Sequence, residues 1–303
     1  MLELGKKFSR KNLAQAPELF SETIALIERE FRYSADYKFE IDFYPLMRKE
    51  NHQHCHLLID NETNKVVGHI GFLQKNLKFK NLTLPTQFIG GICIDKKYQG
   101  QRLFTHFFKT LTQEYISNIA LHVLWGDLHE VYKKFDFYPA GIQYSVAPSG
   151  DGSLKEIKFK SQAHLYNKIH ETHLAPTREE ADWDILKNIT SSKLYADDKN
   201  YFFANKGFDL THIAHEYYFT DKKIKIPFQL WSRGEVGASE HVALIKIVNA
   251  KYFYDFYSEF PAIQNLSTHD FILNCIDSIE VPATSIIPTD KKLKLYISGL
   301  DSI

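Results

Sequence analysis

The chain has 303 residues, and 37 Lys+Arg against 37 Asp+Glu leave a formal net charge of zero. That length suggests one large domain or two medium ones, and 44% hydrophobic with 24% charged residues excludes a disordered chain. The charge balance excludes the basic surplus of a general nucleic-acid binder, and three widely spaced cysteines, Cys55, Cys93 and Cys275, exclude a disulfide framework.

In chain order, Pro17 to Phe31 repeats apolar residues with the period of an amphipathic helix, with Pro in its first turn. His56 to Ile59 and Lys65 to Leu73 read as a hairpin around Asp60 to Asn64. Phe88 to Ile94 reads as an apolar strand broken by Gly90 and Gly91. Leu103 to Tyr115 reads as a helix, Ala120 to Trp125 as a buried strand, Leu128 to Phe135 as a short helix and Gly141 to Val146 as a strand. The turn-rich segment Ala147 to Ser161 marks a boundary, so a first unit at residues 1–148 and a second at 149–303 are expected. The second unit reads as helices at Ala163 to His173 and Arg178 to Ile189. A strand pair follows at Asn200 to Asn205 and His212 to Phe219, then strands at Phe228 to Trp231 and Ala243 to Val248. Helices near Tyr252 to Glu259 and His269 to Ile276 complete it. The tail Leu295 to Ile303 ends apolar and is expected to dock.

The segment Ile89 to Phe104 (IGGICIDKKYQGQRLF) carries the most chemistry. A strand ending at Asp95 passes through a short polar loop into a helix N-terminus. There, free N–H groups and the helix dipole suit an anion such as a phosphate. Gly100 permits close backbone approach, and Lys96, Lys97 and Arg102 add charge for phosphate oxygens. The plainer alternative is a strand-to-helix loop with solvated charges.

These residues resemble the phosphate loop of the GNAT superfamily, the GCN5-related acyltransferases that use acyl-coenzyme A. The family pattern is Arg/Gln-x-x-Gly-x-Gly/Ala, matched here by Gln99-Gly100-Gln101-Arg102-Leu103-Phe104, with Arg102 and Phe104 in place of small residues. A second segment, Tyr132-Lys133-Lys134-Phe135-Asp136-Phe137, resembles the family's Tyr-bearing helix, with Asp136 in place of Gly. The order of elements over residues 15–146 is also similar to that of the family. The resemblance implies an α/β (α+β) fold with a GNAT-type mixed central sheet flanked by helices. It also implies that Gln99, Gly100, Gln101, Arg102, Leu103 and Phe104 bind the cofactor pyrophosphate. The backbone of Ile92, Cys93 and Ile94 would hold the pantetheine arm, and Tyr132 would be the general acid. Asp95, Glu130, Glu40 and Asp42 are unranked candidates for the base. The plain reading of Tyr132 is a core aromatic.

The implied activity is N-acyl transfer from acetyl-CoA, without a metal, to an amine of a small molecule or protein. The alternative is a GNAT-fold binding module that has lost activity, motivated by Arg102, Phe104 and Asp136. Residues 149–303, whose Asn200 to Phe219 is similar to a GNAT central hairpin with no second phosphate loop after it, are expected to form a smaller, degenerate GNAT-like domain. His52, His54, Cys55 and His56 suggest a metal cluster, but only His54 and His56 would share a strand face. The start of an edge strand is the expectation there, and an inert buried thiol is the expectation for Cys93. The start of the sequence carries no apolar leader and no window approaches a membrane span. A cytoplasmic monomer or homodimer is expected, with no nucleic-acid or membrane partner.

Overall fold

The computed structural model describes residues 7–221, 223–234 and 237–303. The first six residues of the sequence, part of the start read as leaderless, lie outside the described residues. The strands are β1 Phe8–Asn12, β2 Cys55–Asp60, β3 Lys65–Phe79, β4 Leu82–Ile94, β5 Leu121–Leu124, β6 Tyr138–Val146 and β7 Glu156–Ile157. They continue with β8 Ala175–Pro176, β9 Lys193–Ala196, β10 Tyr201–Ala204, β11 Ile213–Tyr218, β12 Gln229–Ser232 and β13 Ala238–Ile247. The helices are α1 Phe20–Glu30, α2 Phe39–Asp42, α3 Tyr44–Met47, α4 Leu103–Glu114, α5 His129–Lys133, α6 Ala163–Tyr166, α7 Glu180–Leu186, α8 Lys251–Tyr254 and α9 Thr268–Cys275.

All the strands belong to one mixed sheet, in the order β1-β2-β3-β4-β5-β13-β6-β12-β11-β10-β9-β7, with β8 pairing β3. The second half of the chain therefore contributes to the first half's sheet. Strand β13 is antiparallel to β5 through Leu244 opposite Leu124, and to β6 through Ala243 opposite Ala140. Strand β2 lies between β1 and β3, which corrects the edge-strand expectation for His54 to His56. His54 Nδ1 and His56 Nε2 instead both hydrogen-bond the Tyr115 hydroxyl, each at 2.9 Å.

The two-residue period of β2 sorts side chains into two layers. Leu57 and Ile59 belong to the same core layer as Ile24 and Ile27 of α1, a layer that runs along that face of the sheet to Phe271 and Ile272 of α9. Leu58 packs with Phe107, Phe108 and Leu111 of α4 on the opposite face. The same alternation splits β10, whose Tyr201 and Phe203 join Trp183 while Phe202 joins Ile226. Helix α1 begins after a 3₁₀ turn opened by Pro17, because proline fixes a helical φ where no N–H is needed.

Candidate active site

Strands β4 and β5 run parallel and pair from Thr86 opposite Leu121 to Ile89 opposite Leu124. Beyond that point β5 ends, and Gly90 to Ile94 have no pairing on that side. The sheet opens into a V there. On its other side β4 is irregular against β3, with a register shift between His69 and Gly71, and Gly91 takes φ +59°. That left-handed backbone suits glycine, and it turns the Gly91 carbonyl to accept a 2.7 Å bond from His69 Nδ1.

A cleft of about 680 Å³ opens at the V. Gly90, Gly91 and Ile92 line it from β4, Trp125 to Leu128 from the end of β5, and Tyr132 from α5. Tyr132 lines the same cleft as Gly90, Gly91 and Ile92 of the splayed strand. Burial pushes its hydroxyl up to about 12, so the group is protonated at neutral pH. Cys93 and Ile94 point their side chains into the core, and burial pushes the Cys93 thiol up to about 12.

The loop after β4 is held by its own side chains. Asp95 accepts the Lys97 N–H at 2.9 Å and pairs with Arg29 at 2.8 Å, and Gln99 Nε2 donates to the Ile94 carbonyl at 3.0 Å. Asp95 is thereby committed to structure. Gly100 takes φ +79°, and a Cβ there would meet no atom within 4 Å, so the chain turns beside open space in front of α4. Arg102 caps α4 with φ +60°, and Asp136 takes φ +64°. Both residues stand where the family pattern has glycine, and both keep the left-handed backbone that glycine normally supplies. Phe104 fills its place by meeting the rings of Phe108, Tyr132 and Phe135 at 5.2, 6.0 and 5.7 Å. Acyl-CoA fits this arrangement: an open turn, a helix N-terminus with an adjacent guanidinium, and an unpaired strand edge leading to the cleft.

The remaining base candidates do not line the cleft. Glu130 is exposed on α5 and Glu40 is half-buried on α2. Asp42 is buried beside Gly207, accepts the Ser191 hydroxyl at 2.5 Å, and has its carboxyl raised by burial. The carboxylates at the cleft are Asp127 and Asp209, which the sequence reading did not single out. Asp127 could have been found as a polar residue just past the C-terminal end of a parallel strand, where open α/β sheets place ligands.

The second half supplies the rest of the wall. Lys206 is fully buried. It donates to the carbonyls of Gly299 and Ser302, each at 2.6 Å, and to the Ser302 hydroxyl at 3.0 Å, with its ammonium 4.3 Å from the Phe43 ring centre. Burial pulls Lys206 down to about 7 against the pull of Asp42, Asp301 and Asp209. The tail it holds is docked as expected, and the Ile303 backbone lies so close to Gly90 that any Cβ there would overlap it.

The acetyltransferase (GNAT) domain family matches residues 15–140. No curated protein matches the chain by sequence. Among solved structures, a GCN5-related N-acetyltransferase from Kribbella flavida superposes with a TM-score of 0.58 at 10% identity, covering 81% of this chain and 73% of its own. Eis1 from Mycobacterium abscessus gives 0.56 at 9%, covering 80% and 74%. The N-myristoyltransferase of Saccharomyces cerevisiae, solved with bound myristoyl-CoA, gives 0.51 at 13%, covering 73% and 69%. Residues 15–140 match the acetyltransferase (GNAT) domain family, and the fold, with its splayed strands and its turn into α4, is similar to that of these solved acyltransferases.

Proposed function

We propose that this protein is an acyl-CoA-dependent N-acyltransferase that takes an acetyl group from acetyl-CoA and passes it to an amine. The observation that carries the reading is the V between β4 and β5, open at Gly90 to Ile94 and lined by Tyr132. Acyl-CoA would supply the acyl group as a thioester. The pyrophosphate is assigned to the turn from Gln99 through Gly100 and Gln101, with Arg102, Leu103 and Phe104 opening α4 behind it. The backbone of Ile92, Cys93 and Ile94 is assigned to the pantetheine arm as an added strand edge. Tyr132, protonated by virtue of its burial, is assigned to donate a proton to the departing thiolate.

Residues 1–148 carry every one of these groups. Residues 149–303 we read as a degenerate GNAT-like half whose β13 braces the sheet next to β5 and whose Lys206 braces the tail. The left-handed backbone at Arg102 and Asp136 supports this reading over a binding module without activity, because both residues hold a conformation that glycine adopts readily. The protein is proposed to act in the cytoplasm as a monomer or homodimer.

Calorimetric titration with acetyl-CoA is the direct test, followed by mass spectrometry of an amine incubated with both. Saturable binding at micromolar cofactor supports the reading, and no heat at millimolar cofactor would overturn it.

A further inference from the structure

The cleft beyond Tyr132 has two aromatic walls. On one side Phe39 stacks on Phe43 with ring centres 4.5 Å apart, and Phe31 and Tyr33 meet Phe39 at 6.0 and 5.9 Å. On the other side Trp125 stacks on Trp231 at 5.2 Å. Phe31, Phe208 and Leu128 all line this one cleft, although they are 42%, 47% and 63% exposed. Apolar side chains left open to water and gathered at a single mouth mark a binding surface.

Two carboxylates stand at the mouth. Asp127 and Asp209 both line it, and the Asp209 carboxyl is raised by burial and by the Asp127 charge, against the pull of Lys206. The cation on the same wall, Lys206, is occupied by three tail acceptors. Two carboxylates that share a cleft are relieved by a cation placed between them, and aromatic faces attract the same cation.

We infer that the acceptor is a small primary amine carried on an apolar, ring-bearing body, its ammonium met by Asp127 and Asp209 and its ring seated among Phe208, Phe39 and Trp231. The inference rests on the acyl-transfer reading for what happens next, but not for binding. The volume is that of a small-molecule site rather than a protein groove. In the transfer, a carboxylate at the mouth takes one ammonium proton and frees the nitrogen lone pair. The nitrogen forms a bond to the thioester carbonyl carbon, the carbon–sulfur bond breaks, and the sulfur leaves with the proton from Tyr132. The second proton lost by nitrogen reprotonates Tyr132, and the carboxylate returns its proton to solvent.

The test is binding without any acyl donor, read by the fluorescence of Trp125 and Trp231 and checked by calorimetry. The probes are 2-phenylethylamine, ethylamine with the same charge and no ring, and phenylacetate with the ring and the opposite charge. Expected is 2-phenylethylamine binding at least about tenfold tighter than ethylamine, and no binding of phenylacetate. Phe208→Ala should weaken 2-phenylethylamine about tenfold and leave ethylamine unchanged; Asp209→Asn should weaken both amines. Both positions are exposed, so the variants should fold. Equal affinity for the two amines, tighter binding of phenylacetate, or no binding of 2-phenylethylamine would each overturn the inference. If 2-phenylethylamine binds but acetyl-CoA does not, the amine site stands and acyl transfer falls; the reverse pattern removes the amine site and leaves acyl transfer standing.

Discussion

Arg178 Nη2 lies 2.6 Å from Asp301 Oδ2, and neither side chain reaches solvent. The same guanidinium holds both carboxylate oxygens of Glu216, at 2.9 and 2.5 Å, and Lys75 reaches Asp301 at 2.7 Å. Asp301 is held well below the usual carboxylate range by these cations, although burial alone would raise it. The network fixes the tail two residues before Ile303, which abuts Gly90 at the cleft.

Asp301→Asn removes the carboxylate and leaves Lys75 buried without its partner. The expected loss is about 3 kcal/mol, because an uncompensated buried charge costs more than the pair ever contributed. Urea denaturation checks this, and a loss below about 1 kcal/mol would mean that the neighbouring groups re-pair. Acetyl-CoA affinity should fall less than turnover, since Ser302 and Ile303 line the cleft that is proposed to take the acceptor.

Tyr132→Phe should lower turnover at least about tenfold, a loss of about 1.4 kcal/mol in transition-state stabilisation. Acyl-CoA affinity should stay nearly constant, because the ring contacts to Phe104 and Phe108 remain. Unchanged turnover would reduce Tyr132 to a packing role.

Substitution at Arg102 and at Gly100 should weaken acyl-CoA binding for different reasons. Arg102→Gly relieves a left-handed non-glycine residue and should raise stability by about 1 kcal/mol while weakening acyl-CoA binding. Gly100→Asp, introduced where nothing stands within 4 Å of a Cβ, should weaken acyl-CoA binding by setting an anion beside the pyrophosphate. Equal affinity in both variants would move the phosphate site elsewhere.

Stability should fall below about pH 6.5, the ordinary histidine value. Burial pulls His69 and His122 down to about 4 and His215 to about 3. Each ring uses one nitrogen on a backbone carbonyl, and the other (His69 Nε2, His122 Nδ1, His215 Nδ1) is buried without a partner. The unfolded chain therefore binds more protons, and stability present above 6.5 is lost as pH falls through 4. Asp277, held up to about 7 by burial, opposes this because its folded form binds the extra proton between about 4 and 7. Asp277→Asn should thus steepen the acid loss seen in urea midpoints at pH 7.5, 6 and 5; a flat series would contradict the assignment.

Much of the first half was legible in the sequence because its signals are local. The 3.6-residue repeat of Leu103 to Tyr115, the apolar run at Ala120 to Trp125 and the turn at Asp60 to Asn64 each declare themselves within one window. Arg102 and Asp136 looked like defects because residue identity conceals φ. What stayed hidden depends on distance along the chain. The pairing of Leu244 with Leu124 spans more than a hundred residues, as does the grip of Lys206 on a cleft built from Phe43 and Gly90. No periodicity encodes which strand will enter a gap. Asp209 was passed over because it reads as an ordinary turn residue, and only the approach of α1, β5 and the 206–210 turn makes it part of a mouth.

The position of β13 has a consequence for synthesis. Residues 121–146 leave the ribosome about a hundred residues before Ala238–Ile247 are made. Until then β5 and β6 face each other across a vacant lane, with hydrogen-bonding groups open to any passing strand. The nascent chain must wait in that condition for its last long strand, so assembly of the first half's sheet is completed from the other end of the protein.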